Sequence, residues 1–260
     1  MKVPIILLTL NRPIQLKDMI DSIEAYTKPE TYDIIICDNG SEQPEMLSLL
    51  ETLAQKYTVI RNNQNEGFCG FNAGLRLVKT DRFILSDPDI RLSSKIPTDW
   101  VETFSKILDK SNSPKVGIAL NINFATALER AKVFRARELA YWEKKAPYTD
   151  AQCYYAPVDT TLAMYRRDTF KHWEEGQLIF DDRCIHPAGH IVQAYNSKYC
   201  EETIRIAGDY TAEHMGWYVE EKYMPDWDDY SKAAKIFLSS TVYLAKHLII
   251  SGLDATKTAW

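Results

Sequence analysis

Cysteine is scarce in this 260-residue sequence: five residues, at 37, 69, 153, 184 and 200, with no C-x-x-C pair among them. An odd, scattered set excludes a disulfide framework and a zinc ribbon, and it fits a reducing compartment. Glycine and proline are also few, at 10 and 11 positions, and there is no low-complexity linker or internal repeat. Basic charge is lacking, since 31 Lys+Arg stand against 36 Asp+Glu for a formal net charge of −5. Without a basic block the chain does not fit a duplex nucleic-acid binder. No apolar run approaches the roughly 20 residues of a membrane span. The opening MKVPIILLTLNRP runs into Asn-Arg-Pro with no small-residue cleavage site, so it reads as a buried first strand and not as a leader. Two phosphate fingerprints are missing as well. Gly67, Gly70 and Gly74 are spaced G-x-x-G-x-x-x-G, which matches neither the dinucleotide motif nor a P-loop.

What is present is an ordinary core-forming composition, 45% apolar and 26% charged, which excludes disorder. Aromatic residues reach 12%, with 15 Tyr and 6 Trp, and suggest a face that stacks on rings. Val3 to Leu10 is a continuous apolar run, the pattern of a strand covered on both faces. Leu16, Met19, Ile20 and Ile23 then mark a helix stripe. Strands follow at Tyr32–Cys37, Tyr57–Arg61, Arg82–Leu85 and Lys115–Asn121, with helices around Met46–Leu53, Phe71–Val78 and Trp100–Leu108. Such alternation predicts an α/β fold with a mostly parallel central sheet flanked by helices. Beyond it lie a charged helical stretch from Ala125 to Lys145, a strand at Thr161–Tyr165, a loop-rich region to about residue 230, and a tail helix over Tyr230–Leu253. A soft boundary near Asn123 divides one continuous domain into residues 1–123 and 124–260.

In an open α/β sheet, ligands bind beyond the carboxyl ends of the strands. Three of these ends carry polar turns: Thr9-Leu10-Asn11-Arg12, Asp38-Asn39-Gly40-Ser41 and Asp87-Pro88-Asp89. Two carboxylates two residues apart suit a hard divalent ion, which can in turn bind diphosphate oxygens.

VPIILLTLNRP, DIIICDNGS, NQNEGFCGFNAGL and FILSDPDI, in that order and spacing, resemble the nucleotide-binding half of the family 2 glycosyltransferases of the GT-A fold. The later segments APVDTTLAMYRRDTF and IRIAGDYTAEHMGWYV look like pieces of bacterial members of this group. The resemblance implies a Rossmann-like half, 1–123, for the nucleotide sugar, and a less regular acceptor-binding half with a helical tail, 124–260. It implies that Thr9, Asn11, Arg12, Asp38, Gly67, Asn72 and Asp87 line the nucleotide. Asp87 and Asp89 match the D-x-D motif that holds Mn2+ or Mg2+, and His214 is either a third ligand or a packed histidine beside Trp217. The donor expected is a nucleoside diphosphate sugar, a UDP-sugar first. The acceptor is a hydroxyl of a sugar or lipid-linked glycan, in the cytoplasm and at the inner face of the membrane, in bacterial surface glycan synthesis.

An inverting transfer needs a carboxylate to take the acceptor proton. Many members carry a Glu-Asp pair for this, where the present chain has Phe180-Asp181-Asp182-Arg183. Asp159 is preferred over Asp181 and Asp182, with Asp209 a further alternative. A structural role for Asp159, bonding the Thr160 and Thr161 amides, stays open beside it. His186 and His190 are broken from a helical metal pair by Pro187 and Gly189 and read as loop or acceptor-site residues. Trp142, Tyr148, Tyr154, Tyr155, Trp173 and Trp217 fall in the acceptor half. The tail helix has only three lysines, at 232, 235 and 246, for an anionic membrane, so packing on the domain is preferred. Two other readings remain. One is a sugar nucleotidyltransferase, whose Gly-rich basic first loop is absent here. The other is a catalytically inactive carbohydrate-binding relative.

Overall fold

The computed structural model describes residues 2–121, 135, 138–139, 141–156, 158, 161–167 and 203–217. The first half follows the alternation: β1 (Val3–Thr9), α1 (Pro13–Tyr26), β2 (Tyr32–Asp38), α2 (Pro44–Leu53), β3 (Thr58–Arg61), α3 (Phe71–Leu75), β4 (Arg82–Ser86), β5 (Ile90–Leu92), α4 (Trp100–Lys110) and β6 (Lys115–Leu120). Both α1 and α2 begin on a proline, whose fixed φ suits the first turn and whose missing N–H is not needed there. The second half adds β7 (Gln152–Tyr155), β8 (Ala163–Arg166) and β9 (Ile204–His214).

These strands form one sheet in the order β3-β2-β1-β4-β8-β6-β9-β5, with β7 paired on β9. From β3 to β4 every pairing is parallel. From β8 onward the sheet is mixed. β8 runs antiparallel between β4 and β6, β9 runs parallel to β6, and β5 and β7 run antiparallel to β9. The sheet therefore crosses the boundary expected near Asn123, because β8 from the second half sits between two strands of the first.

Successive side chains alternate faces, so each strand feeds two cores. Ile5, Leu7, Ile34, Ile36, Ile84 and Met164 pack under α1, α2 and α4. Ile6, Ile35, Cys37, Phe83, Leu85 and Tyr165 pack under α3, where the Phe83 and Tyr165 rings stack 5.4 Å apart. Covering both faces accounts for the unbroken apolar runs of β1 and β2.

The structure corrects two expectations. The helix expected over Phe71–Val78 ends at Leu75, and the Leu77 and Val78 amides donate to Gly74 and Leu75 carbonyls in tightening turns. The region expected to be loop-rich contains the eleven-residue strand β9. Its apolar alternation is interrupted by Gly208, at φ +75°, where the register against β6 jumps from Ile118↔Ile206 to Ala119↔Thr211. That bulge, a bend only glycine adopts without strain, turns the strand so that Ala212 to His214 run beside β5. Several aromatic residues of the second half pack on one another or on the core. Trp142 stacks on Tyr154 at 6.4 Å, and Tyr148 and Tyr155 lie against the main core. The buried Arg205 pairs with the buried Glu138 and lies 4.7 Å over the Tyr141 ring. No helix among the described residues is long and apolar enough to cross a membrane.

Candidate active site

The carboxyl ends of β1, β2 and β4 adjoin, because Thr9 pairs with Asp38 and Leu7 with Ser86. Asp38 is fully buried at the end of β2. Its two carboxylate oxygens each accept from the Ser41 amide at 3.2 Å, and Arg61 Nε donates to Oδ2 at 3.3 Å. Arg61 also donates to the Ser41 carbonyl and keeps about half of its side chain (55%) in solvent. The short turn 38–41 is thus closed by a carboxylate with a cation beside it.

Asn11 clamps the β1 end to the same turn. Its amide donates to Ser41 Oγ at 2.8 Å, and its Oδ1 accepts from the Glu42 and Gln43 amides at 3.0 and 3.1 Å. Its φ of +50° is left-handed, a conformation that asparagine tolerates better than most residues. Asn39, buried to 4% exposure, does the corresponding work for the glycine-rich segment. Its Nδ2 donates to Asn65 Oδ1 and the Gly67 carbonyl, both at 2.8 Å, and its Oδ1 accepts from Asn62 Nδ2 and the Glu66 amide. Gly67 opens a 3-10 turn that leads into α3.

The acidic turn joins β4 to β5. Asp87 is half-buried there and Asp89 is 3% exposed. Arg12 Nη1 donates to Asp89 Oδ2 at 3.2 Å, and His214 Nδ1 faces the same oxygen at 3.5 Å. The pairing of Ile90 with His214, and the bond from the Met215 amide to the Asp89 carbonyl at 2.8 Å, hold the histidine in place. Among the described residues no group of three or more His, Cys, Asp or Glu is placed to hold a metal ion. Asp89 and His214 are two donors. That suits Mg2+ or Mn2+ sharing its remaining positions between substrate phosphate and water, with imidazole favouring the transition metal. The residues present fit such an ion.

Two rim atoms have no hydrogen-bond partner among the described residues, Thr9 Oγ1 and Asn72 Oδ1. A buried polar atom left in this state asks for a ligand or water to satisfy it. Cys37, close by under α3, is no nucleophile: burial, only partly offset by the Gly74 amide, pushes its thiol up to about 12.

Of the residues picked from sequence, Thr9, Asn11, Arg12, Asp38, Gly67, Asn72, Asp87, Asp89 and His214 fall on this rim or beside it. Asp159, Asp181 and Asp182 lie outside the described residues, as do His186, His190 and the tail helix. Sequence reasoning did not single out Asn39, Arg61 or Gly216. Asn39 and Arg61 had a legible signal, each standing at the end of a strand that reaches the rim. Gly216 had none, because its closeness to Asp89 is purely tertiary.

None of the curated proteins matches this chain. Among solved structures, a mannosyltransferase from Pyrobaculum calidifontis in complex with GDP-Man and Mn2+ superposes with a TM-score of 0.58 at 14% identity, over 82% of this chain and 56% of its own. S. aureus TarS fragments in complex with UDP and with UDP-GlcNAc superpose with TM-scores of 0.52 and 0.50 at 13% and 14% identity, over 86% and 85% of this chain and 62% of theirs. The present chain is thus similar in fold to proteins of which it spans little more than half the length. The family model for glycosyl transferase family 2 matches residues 5–173, which run from within β1 to beyond β8 and include the Asp38–Asp89 rim. The chain belongs to glycosyl transferase family 2, with the GT-A arrangement of a central mixed sheet between helices.

Proposed function

We propose that this chain transfers a sugar from a nucleoside diphosphate sugar to a hydroxyl acceptor, with inversion and with a divalent cation. The observation that carries the reading is that Asp38, Arg12 and Asp89 stand at or just past the carboxyl ends of the adjoining β2, β1 and β4 while β9 brings His214 to the same Asp89 carboxylate, in a chain of this family. A nucleoside at the 38–41 turn and a diphosphate reaching toward Asp89 fit that rim. Thr9 and Asn72 would offer their unmet oxygens to the same ligand.

In the reaction, the acceptor oxygen bonds to the anomeric carbon while that carbon's bond to the diphosphate oxygen breaks. The protein must orient the donor, neutralise the leaving diphosphate and accept the hydroxyl proton. An ion held by Asp89 and His214 supplies positive charge for the leaving diphosphate. Arg12, paired with Asp89 in this structure, adds a permanent positive charge of its own. The proton acceptor we propose is Asp159, with Asp181 and Asp182 as the alternatives. A bacterial glycan acceptor, a UDP-sugar donor and work at the inner membrane face complete the proposal. We further propose that residues 1–123 serve the nucleotide sugar and 124–260 the acceptor.

The test is a panel of nucleotide sugars, UDP- and GDP-linked, incubated with the protein and MnCl2, with release of nucleoside diphosphate measured. Turnover with one donor supports transfer. Pyrophosphate formation from a nucleoside triphosphate and a sugar phosphate instead identifies a nucleotidyltransferase, and no nucleotide binding at all sinks the proposal. Asp159→Asn should lower turnover by ~10²-fold or more while sparing donor binding. Unchanged turnover moves the base to another carboxylate.

A further inference from the structure

Three groups from separate elements close on one oxygen, Asp89 Oδ2. Arg12 Nη1 donates to it at 3.2 Å and His214 Nδ1 faces it at 3.5 Å. Gly216 backs onto it so closely that a Cβ there would lie 2.5 Å away. The pair is well shielded, with 14% of the Arg12 side chain and 4% of the Asp89 side chain exposed. A guanidinium does not deprotonate, so the charge at this carboxylate is permanent. A divalent cation approaching the same oxygen meets a like charge that solvent screens poorly.

Arg12 is tied to the other end of the rim by its neighbour. Asn11 is bonded through its amide to Ser41 and through its side chain to Glu42 and Gln43. The turn so gripped is the one that Asp38 closes. Arg12 thus has its main chain at the proposed nucleoside end and its guanidinium at the proposed cation end.

We propose that Arg12 couples the two ends. It masks Asp89 until a diphosphate arrives, then passes its guanidinium to the phosphate oxygens and releases the carboxylate to the cation. This deepens the glycosyltransferase reading and rests on it for the diphosphate and the ion. The exchange leaves no charge stranded, which matters because an unpaired buried charge is costly. Phosphate replaces carboxylate on the planar fork of the guanidinium, a geometry it recognises in two-point fashion. The cation replaces guanidinium on the carboxylate. Diphosphate and cation then raise each other's affinity by the same factor, as linkage requires, and the cation alone binds weakly.

The experiment titrates MnCl2 into the full chain and reads free Mn2+ by electron paramagnetic resonance, first without nucleotide and then with UDP or GDP. Arg12→Gln removes the charge. Its affinity for Mn2+ alone should rise on the order of tenfold, and the tightening given by the nucleotide should shrink by a similar factor. Arg12→Lys keeps a positive charge and should bind Mn2+ alone as weakly as the unsubstituted chain. Thermal melting establishes that each variant is folded, and Arg12→Met replaces the glutamine variant if that one melts early. Unchanged or weaker binding of Mn2+ alone by the neutral variant, with nucleotide still tightening Mn2+ in the unsubstituted chain, overturns the coupling but not the metal site. An equal rise in the lysine variant also overturns it. Failure of the unsubstituted chain to bind Mn2+ even with UDP or GDP removes both the metal site and the coupling.

Discussion

Asp89 is held from three sides, and substitutions around it separate its roles. Asp89→Ala removes the partner of the shielded Arg12 guanidinium, so it should lower the melting temperature while leaving the chain folded, and abolish the extra thermal stabilisation that Mn2+ adds to UDP or GDP. Survival of that stabilisation would show that the ion sits elsewhere. Gly216→Ala pushes a methyl group toward Asp89 Oδ2 and should give the same binding defect with Asp89 still present, checked by the same melting series. Asn39 works differently, since it has no charge to offer a ligand. Asn39→Ala leaves the Glu66 amide without its acceptor, the Gly67 carbonyl without the Asn39 donor, and Asn62 Nδ2 with only the Gly70 carbonyl at 3.4 Å. Its cost should be roughly 1 kcal/mol or somewhat more, the usual net loss for hydrogen bonds whose partners are only partly buried, read from the urea midpoint.

Among the elements, α3 gives the sharpest conflict between local preference and packing. Alanine normally improves a helix interior over glycine by about 1 kcal/mol. At Gly74, however, a Cβ would lie 2.7 Å from Ile6 Cγ2 and 2.8 Å from Cys37 Sγ, both inside the fully buried layer between α3 and the sheet. Overpacking of this kind costs roughly 1–3 kcal/mol, so Gly74→Ala should lower the melting temperature. A rise would mean that α3 shifts to make room. Element types in the first half were legible in the sequence because strands buried on both faces write unbroken apolar runs, and α1 and α4 write a stripe. β5 was not legible because three residues are too few for a pattern. β9 was not legible because its alternation stops at Gly208, where the chain bends.

For the whole molecule, buried thiols and a phenol contribute stability that declines at alkaline pH. Burial pushes Cys37 and Cys153 up to about 12, and burial together with the bond to Glu24 raises Tyr57. Each group keeps its proton in the folded chain at a pH where the unfolded chain has lost it. The stability they contribute is therefore whole below about pH 8.5 and is lost as pH rises toward the folded values. The urea midpoint should fall between about pH 8.5 and pH 10.5, and Cys37→Ala with Cys153→Ala should flatten the decline. A midpoint that holds steady across that range would count against thiol burial as the cause.

The sequence by itself determined the βα alternation of residues 3–121 and the polar strand ends where a ligand can sit. Both are local: they depend on which face of a short segment is apolar and where it stops. Only the tertiary structure decided that β8 inserts between β4 and β6, and that the bulge in β9 carries His214 back to Asp89 across nearly half the chain. It also decided that Arg12 reaches Asp89 and that Asn11 grips the 41–43 turn. Those contacts come from strand register and bend, which a run of residue types does not encode until the strands are paired.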